Sequence, residues 1–553
     1  MHHFNRLLGL SLCSLCTLPA TSALAQTPPD AGALQQQIER ERAVQLPKRI
    51  APDKPVEPAA MKPASGVVIT VKQFRFAGNT LLNAEQLAPA VVGYLDRPLD
   101  FSQLQAAAAA VADTFRAAGW VVRAYLPAQD IQDGIVTIQV VEAVFGGTQI
   151  EGQAQRMTAS QILRGVDAQQ AQGQALNADA LDRALLLADD LPGVAVSGAL
   201  RAGKGEGETD LVLKLVDEAL LIGNASLDNT GARSTGQERL AANLNLNSPF
   251  GIGDQVSANL ILSRGSDYVR LGYSVPIGAQ GWRVGANASR LAYELVGSDF
   301  SALQAEGTST SVGVEASYPL IRSRLKNLYL LLNVDRKNFD NEALGITSSD
   351  YDINNISIGL NGNLFDNLGG GGANSASLVL VNGKVDLGTL EIRENPAVDG
   401  GFSKFRYGFS RQQVITDQIS LLAALTGQET SDDLDSSEKF YLGGAYGVRA
   451  YPTNEASGGS GILANIELRW RLPQGVTLSG FYDHGRVRND DGSPSYSLKG
   501  AGLAAAWQTD SGLNLRGTWA RRIGNNPNPA ANGDDQDGSL NKNRIWLSAS
   551  LSF

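Results

Sequence analysis

From residue 218 to its last residue the chain is written in segments of about ten residues in which apolar and polar side chains alternate, parted by Gly, Asn, Asp and Ser. Ala241-Ala242-Asn243-Leu244-Asn245-Leu246-Asn247 and Val256-Ser257-Ala258-Asn259-Leu260-Ile261-Leu262 show the pattern. A strand of this kind has one face for lipid and one for water. Transmembrane helices are not expected, because the most apolar pieces are short: Leu328 to Val334 runs straight into Asp335 and Arg336. At about 21 residues per strand plus connection, the stretch 218–553 accommodates about sixteen antiparallel strands, beginning near Ala219 and ending with Trp546 to Phe553. A soluble sandwich or propeller would need apolar residues on both faces of many strands, or a repeated blade motif. The last strand fits a barrel best: Ile545, Leu547, Ala549, Leu551 and Phe553 share one face, and the chain ends on an aromatic residue.

The amino terminus indicates export. Arg6 precedes an apolar stretch from Leu7 to Leu18, and Ala23-Leu24-Ala25 supplies small residues at a cleavage site, so 1–25 reads as a signal peptide. Leu12 and Leu15 stand before Cys13 and Cys16, where lipid attachment requires a small residue. Cleavage after about Ala25 removes both cysteines and two of the three histidines, leaving His484. Disulfides, zinc sites built on Cys or paired His, and Cys nucleophiles are then excluded, and a Ser hydrolase would have His484 alone as its base. No catalytic residue, metal or cofactor is expected. With a formal net charge of −10 and no long basic run, the chain is not suited to nucleic acid.

Between the signal and the barrel the chain changes texture three times. Residues 26–46 hold one mostly polar helix, Pro29 to Gln45, with Asp30 as its N-cap; polar all round, it should bury little and be solvated or sit in a wet cavity. Pro47, Pro52, Pro55, Pro58 and Pro63 make 47–65 an extended tether. Residues 66–143 then read as strand, helix, helix, strand, strand: Val67 to Phe76, Asn83 to Leu95, Ser102 to Ala118, Trp120 to Leu126 and Gly134 to Glu142. The same order recurs more faintly in 144–217, which suggests two tandem copies of one α+β module.

Several motifs, in this order, resemble the outer-membrane transporters of two-partner secretion, known as TpsB or ShlB/FhaC/HecB-type hemolysin secretion/activation proteins, relatives of the barrel-assembly insertase. In the first module these are Gly119-Trp120, Leu126-Pro127-Ala128-Gln129-Asp130, Gly134 and Val140-Val141-Glu142. At the barrel entrance they are Asp228-Asn229-Thr230-Gly231, Arg239 and Asn247-Ser248-Pro249-Phe250-Gly251-Ile252-Gly253-Asp254, and later Tyr318-Pro319-Leu320-Ile321-Arg322-Ser323-Arg324. The resemblance implies two periplasmic POTRA domains, 66–143 and 144–217, before an outer-membrane β-barrel at 218–553, with a plug helix in 26–46 and an inward-folded loop at 444–460. It also implies that Phe553 is the signal read by the barrel-assembly machinery.

Two motifs carry the expected site. Val448-Arg449-Ala450-Tyr451 resembles the family's Val-Arg-Gly-Tyr loop tip, with Ala450 in place of Gly, so this position should need no positive φ. Phe481-Tyr482-Asp483-His484-Gly485 resembles its Phe-x-Asp-x-Gly strand motif, placing Phe481, Asp483 and Gly485 on one face. Arg449 should pair with Asp483, worth about 1–3 kcal/mol in a wet lumen, with Tyr482 on the lipid side near the rim and His484 a rim residue. The resemblance implies export of a large TpsA-type exoprotein whose amino-terminal secretion domain the POTRA domains capture by strand addition. Outer-membrane lipid and lipopolysaccharide, the assembly machinery and periplasmic chaperones are the other expected partners. No nucleotide site is visible, so the drive should be folding of the cargo outside. The competing readings are an assembly or insertion factor, which would ordinarily carry more POTRA modules, and a passive porin, which would leave the modules without purpose.

Overall fold

The computed structural model describes residues 29–41, 68–152, 154–205, 207–297, 301–388, 396–489, 495–530 and 532–553. The expected signal peptide, the proline-rich tether and the ends of the amino-terminal segment, 26–28 and 42–46, lie outside them. The first described element is helix α1, Ala31–Glu41, with Asp30 Oδ1 accepting the Ala33 N–H at 2.8 Å.

The first module runs β1 (Gln73–Ala77), α2 (Ala84–Val91), α3 (Phe101–Ala117), β2 (Val122–Tyr125) and β3 (Ile135–Glu142). β3 lies between a parallel β1 and an antiparallel β2. Both helices open on reciprocal caps, Asn83 with Gln86 and Asp100 with Gln103, which satisfy amide protons that a helix start leaves free. Leu87, Val91, Leu104, Val111 and Phe115 pack over Phe74, Val136, Ile138 and Val140. The expected continuous first strand is broken: Val71 turns into this core, and Ile69–Thr70 pairs with Pro98–Leu99 instead. The second module repeats the order as β4 (Val144–Glu151), α4 (Ala159–Gln169), α5 (Ala178–Asp189), β5 (Val194–Ala202) and β6 (Glu208–Asp217), with β6 central and its own core around Phe145, Ile162, Val166 and Leu211.

Sixteen antiparallel strands, from Leu221–Asp228 to Asn543–Ser552, then close into a barrel. Alternation sends Leu271, Val314, Ile358, Leu468, Leu503 and Leu547 outward, all exposed, as a lipid-facing wall requires. Part of the inner face is polar; Asn259 and Asn224 flank Asn243 in a side-chain ladder at 2.6 and 2.9 Å. The seam joins the last strand to the first from Ser548↔Asp228 to Ser552↔Asn224, and Phe553 extends it by exchanging backbone hydrogen bonds with Gly223.

The turns on the POTRA side are short, and two of them hold the second module. Arg322 forks onto Asp190 with both contacts at 2.7 Å, Arg324 reaches Asp182 at 2.6 Å, and Arg183 donates to the Pro319 carbonyl at 2.7 Å. Pro319 fits this strand because the ladder slips there in a bulge. Ser248 donates to the Arg156 carbonyl and Gln161 to that of Ile252, each at 2.9 Å.

Candidate functional site

Inside the barrel two assemblies meet: a loop folded in from the outer rim, and helix α1. The loop joins strand Ile419–Glu429 to strand Ser460–Arg471. Its tip is buried, Val448 and Ala450 completely and Tyr451 nearly so. Arg449 Nε donates to Asp483 Oδ2 at 2.9 Å and Nη2 to Asp483 Oδ1 at 2.8 Å, while the Arg449 amide reaches the same carboxylate at 3.1 Å. Strand alternation brings Phe481, Asp483 and Gly485 to the lumen, as their burial shows. The guanidinium lies over the Phe481 ring, 3.3 Å from its centre, a cation–π arrangement that a lysine could not match as a flat stack.

The lock has more members than the two motifs contain. Glu467 accepts Arg449 Nη1 at 2.8 Å and Arg469 Nε at 2.9 Å. Asn465 donates to Asp483 at 2.8 Å, and Trp546 Nε1 donates to the Arg449 carbonyl at 2.8 Å. Glu467 and Asn465 stand on the lumen face of the neighbouring strand, in a position that alternation alone does not mark as part of a site. The expected wet ion pair is therefore corrected: Asp483 is fully buried and Glu467 4% exposed, so the lock is a desolvated triad. Ala450 takes its place without positive φ, and its methyl lies where Gly500 has no side chain; a Cβ on residue 500 would stand 2.5 Å from it. Gly485 makes room in the same way for Leu442, which would lie 2.5 Å from a Cβ there.

Helix α1 lies across the lumen beside this loop. Ala31, Leu34 and Ile38 fall on one stripe and join a cluster with Tyr268, Leu291, Phe339, Ile353, Phe402 and Leu434. The expectation of a helix that buries little is thus overturned. Three apolar residues at positions i, i+3 and i+7 suffice because the wall opposite presents an aromatic patch. The polar faces are answered too: Glu39 meets Lys337 at 3.3 Å, Glu41 meets Arg239 at 3.0 Å, and the Ala31 N–H reaches Asn341 at 3.0 Å. Lys337 also contacts Glu438 of the inward loop at 3.1 Å, and Glu438 contacts Lys404 of the wall at 2.6 Å. Arg40 and Gln36 donate to loop carbonyls, Arg40 to Tyr441 and Gly443 and Gln36 to Lys439. Helix, loop and wall are one charge-linked unit. Higher in the loop, burial raises Glu455 to about 7, against hydrogen bonds from Asn526 and the Gln536 amide that favour its ionised form.

The motif residues of the first module have a different job. Gly119, with φ of +84°, ends α3, and its carbonyl accepts the Ala178 N–H of the second module at 2.8 Å. Gln129 acts as a substitute for backbone, accepting the Thr137 N–H at 2.7 Å and donating to its carbonyl at 2.8 Å; Pro127 and the exposed Asp130 shape the turn that presents it. Gly134, at +74°, accepts the Lys72 N–H at 2.8 Å. Glu142 accepts the amides of Thr80 and Leu81 at 2.7 and 2.8 Å. These residues join and brace modules. Tyr482 does face outward, 41% exposed, but it sits at the middle of Val476–Arg488 and so at mid-height, away from the expected rim position. His484, two residues on, pairs in register with Lys499 and is also part of the wall. Around the POTRA end, Trp470, Trp507, Phe553, Phe250 and Tyr273 are among the exposed aromatics.

A closed lipid-faced barrel of sixteen strands, with two strand-helix-helix-strand-strand modules at one end and a loop locked into its lumen, defines a POTRA-bearing transporter of the bacterial outer membrane, its modules in the periplasm. The ShlB-type POTRA domain matches residues 69–143, and the haemolysin secretion/activation protein ShlB/FhaC/HecB matches residues 207–507. The chain belongs to this haemolysin secretion/activation family, whose members include transporters of two-partner secretion. It is 27% identical to the heme/hemopexin transporter protein HuxB of Haemophilus influenzae strain 86-028NP, over 98% of both chains. It is 25% identical to the outer membrane transporter CdiB of Dickeya dadantii strain 3937, over 79% of this chain and 80% of that one. The solved structure of CdiB from Escherichia coli superposes with a TM-score of 0.72 at 21% identity, covering 95% of this chain and 99% of that one.

Proposed function

We propose that this transporter captures one large TpsA-type exoprotein in the periplasm and conducts it through the barrel, without catalysis, and that helix α1 and the Arg449 loop together close the lumen at rest. The observation that carries this reading is the shared ion-pair network, in which Lys337 touches both Glu39 of the helix and Glu438 of the loop. A passing chain that displaces the helix also removes a partner from the loop. Capture suits a POTRA sheet edge, because backbone hydrogen bonds recognise an unfolded client irrespective of its side chains. β5 has the longest open edge, nine residues in Val194–Ala202, with Leu200 exposed. Folding of the cargo outside supplies the direction. The bilayer supports the wall, and the assembly machinery and periplasmic chaperones deliver the barrel, with Phe553 as the signal.

The test compares culture-supernatant and outer-membrane proteomes of the native strain, a deletion strain and an Arg449→Ala strain. Loss of one large secreted protein from both mutants, with other barrels unchanged, is the expected result. Disappearance of several barrels from the outer membrane would replace secretion by an assembly role, and no change in either fraction would leave a porin.

A further inference from the structure

We infer that the outer wall around strands Val476–Arg488, Tyr496–Gln508 and Leu513–Arg522 is a binding site for one lipopolysaccharide molecule, its lipid A phosphates held by Arg486, Lys499 and Arg521 and an acyl chain lying in the groove below. The site goes beyond the secretion reading and depends only on the barrel's seat in the outer membrane. Alternation fixes the side: the odd residues of Val476–Arg488 from Phe481 to Val487 are buried in the lumen, so Arg486 points out, and the same parity argument sends Lys499 and Arg521 outward. All three are exposed. They sit at the strand ends opposite the POTRA domains, where the outer leaflet carries its phosphates. None is paired with a carboxylate among the described residues, whereas the nearby Arg488 contacts Glu429 at 3.6 Å. The rim is not uniformly basic. On the opposite wall, eight strands away, Glu294, Glu306 and Glu342 stand in register with one another.

The second observation is the groove. Leu478, Leu503, Trp519 and Leu547 stand around a floor of Ala505 and Gly517, bordering an open depression of about 630 Å³. A Cβ on Gly517 would meet only Leu547 Cδ2, at 3.6 Å, so the depression is open space created by a missing side chain. Gly517 lies four residues below Arg521, about 13 Å along one strand and, with the strand tilted by about 40°, a drop of about 10 Å. That vertical spacing places apolar chain against the groove when a phosphate sits on the cations. Arginine and lysine suit a doubly phosphorylated headgroup, the former by bidentate hydrogen bonding and the latter as a point charge.

The full-length protein in detergent, analysed by native mass spectrometry, is offered hexa-acyl lipid A or phosphatidylglycerol at equal concentration. One lipid A should be retained in clear preference to phosphatidylglycerol. Joint Lys499→Gln and Arg521→Gln substitution should lower that retention at least tenfold, whereas Arg290→Gln on the opposite wall should leave it unchanged. Gly517→Leu, which fills the groove and keeps every charge, should also weaken it, and it carries the test if the double variant fails to show the heat-modifiable mobility of a folded barrel. Equal retention by the folded variants, or equal retention of the two lipids, overturns the site. Because no cargo is present, neither outcome bears on secretion.

Discussion

Replacing Arg449 by Met keeps side-chain bulk and removes the guanidinium. Asp483, fully buried, would then retain only Asn465 and the residue-449 amide as donors, and Glu467, 4% exposed, would retain Arg469. Stranding buried carboxylates by removing their cation costs about 3–5 kcal/mol, and the lower half applies here because Glu467 keeps a second arginine. At about 1.4 kcal/mol per decade, the fraction of molecules with the loop released should rise between 100-fold and 1,000-fold. From residue 26 onward the sequence carries no cysteine, so Val448→Cys, completely buried at the loop tip, reports release in a chain that starts there by its rate of labelling with a charged maleimide. Labelling should be slow with Arg449 present and faster by that factor with Met. Adding Asp483→Asn to Arg449→Met leaves no unpaired charge, since Glu467 keeps Arg469, so labelling should fall back by at least tenfold even though more native contacts are gone. If the double variant labels as fast as the single one, the loop is held by contacts and not by charge balance, and the energetic account is wrong.

Four further outcomes follow from the same geometry. Ile38→Asp puts an unpaired carboxylate into the cluster of Phe339 and Ile353; it should unseat α1 at a cost of about 3 kcal/mol and raise single-channel conductance in planar bilayers several-fold, and unchanged conductance would mean that the helix does not block the lumen. Arg322→Ala removes the fork on Asp190. It should cost about 1.5–3 kcal/mol at the POTRA–barrel joint, visible as faster amide exchange in α5 with the barrel strands unaffected. Glu455, ordinary when the loop is out and raised to about 7 when it is in, binds a proton preferentially in the locked state. Locking is therefore favoured below about pH 4.5 and weakened progressively as pH rises to about 7, so in the Val448→Cys background, with each rate divided by that of a free thiol at the same pH, loop labelling should quicken across that window with Glu455 present and lose the trend in Glu455→Gln. Deleting the cargo's ability to fold outside the cell should slow its release, and release at the normal rate would exclude folding as the drive.

What could be read from the sequence divides along a physical line. Period-2 alternation is a local property, so the sixteen strands and the lumen face of Asp483 were legible from single segments. The repeated strand-helix-helix-strand-strand order was legible for the same reason. Partners across the barrel were not. Glu467 is one of many inward carboxylates, and only the register of its strand beside Asp483, through Asn465↔Asp483, makes it part of the lock. The misreading of α1 has the same origin. Ala31, Leu34 and Ile38 are too few to mark an amphipathic helix, and the surface that makes them sufficient is assembled from strands beginning more than two hundred residues later. The expected rim position of Tyr482 failed because alternation gives a side chain's face and says nothing of its height.

The motifs of the resemblance acquire physical content at this level. Ser248 and Arg322 belong to turns that clamp the second POTRA domain, and Gly119 belongs to the joint between the two. The stretches that look most alike from their residues are thus junctions, where two bodies constrain one short segment from both sides. A lipid-facing strand has only to be apolar on alternate positions and can change freely within that rule. The charge-linked contacts of α1 belong to the first kind, since Glu39 and Glu41 must find Lys337 and Arg239 across the lumen. A helix designed only to fill space would need none of them. Ion pairs whose partners regain water on leaving are strong while the lumen is closed and cheap to surrender once it opens, which is the behaviour a removable plug requires.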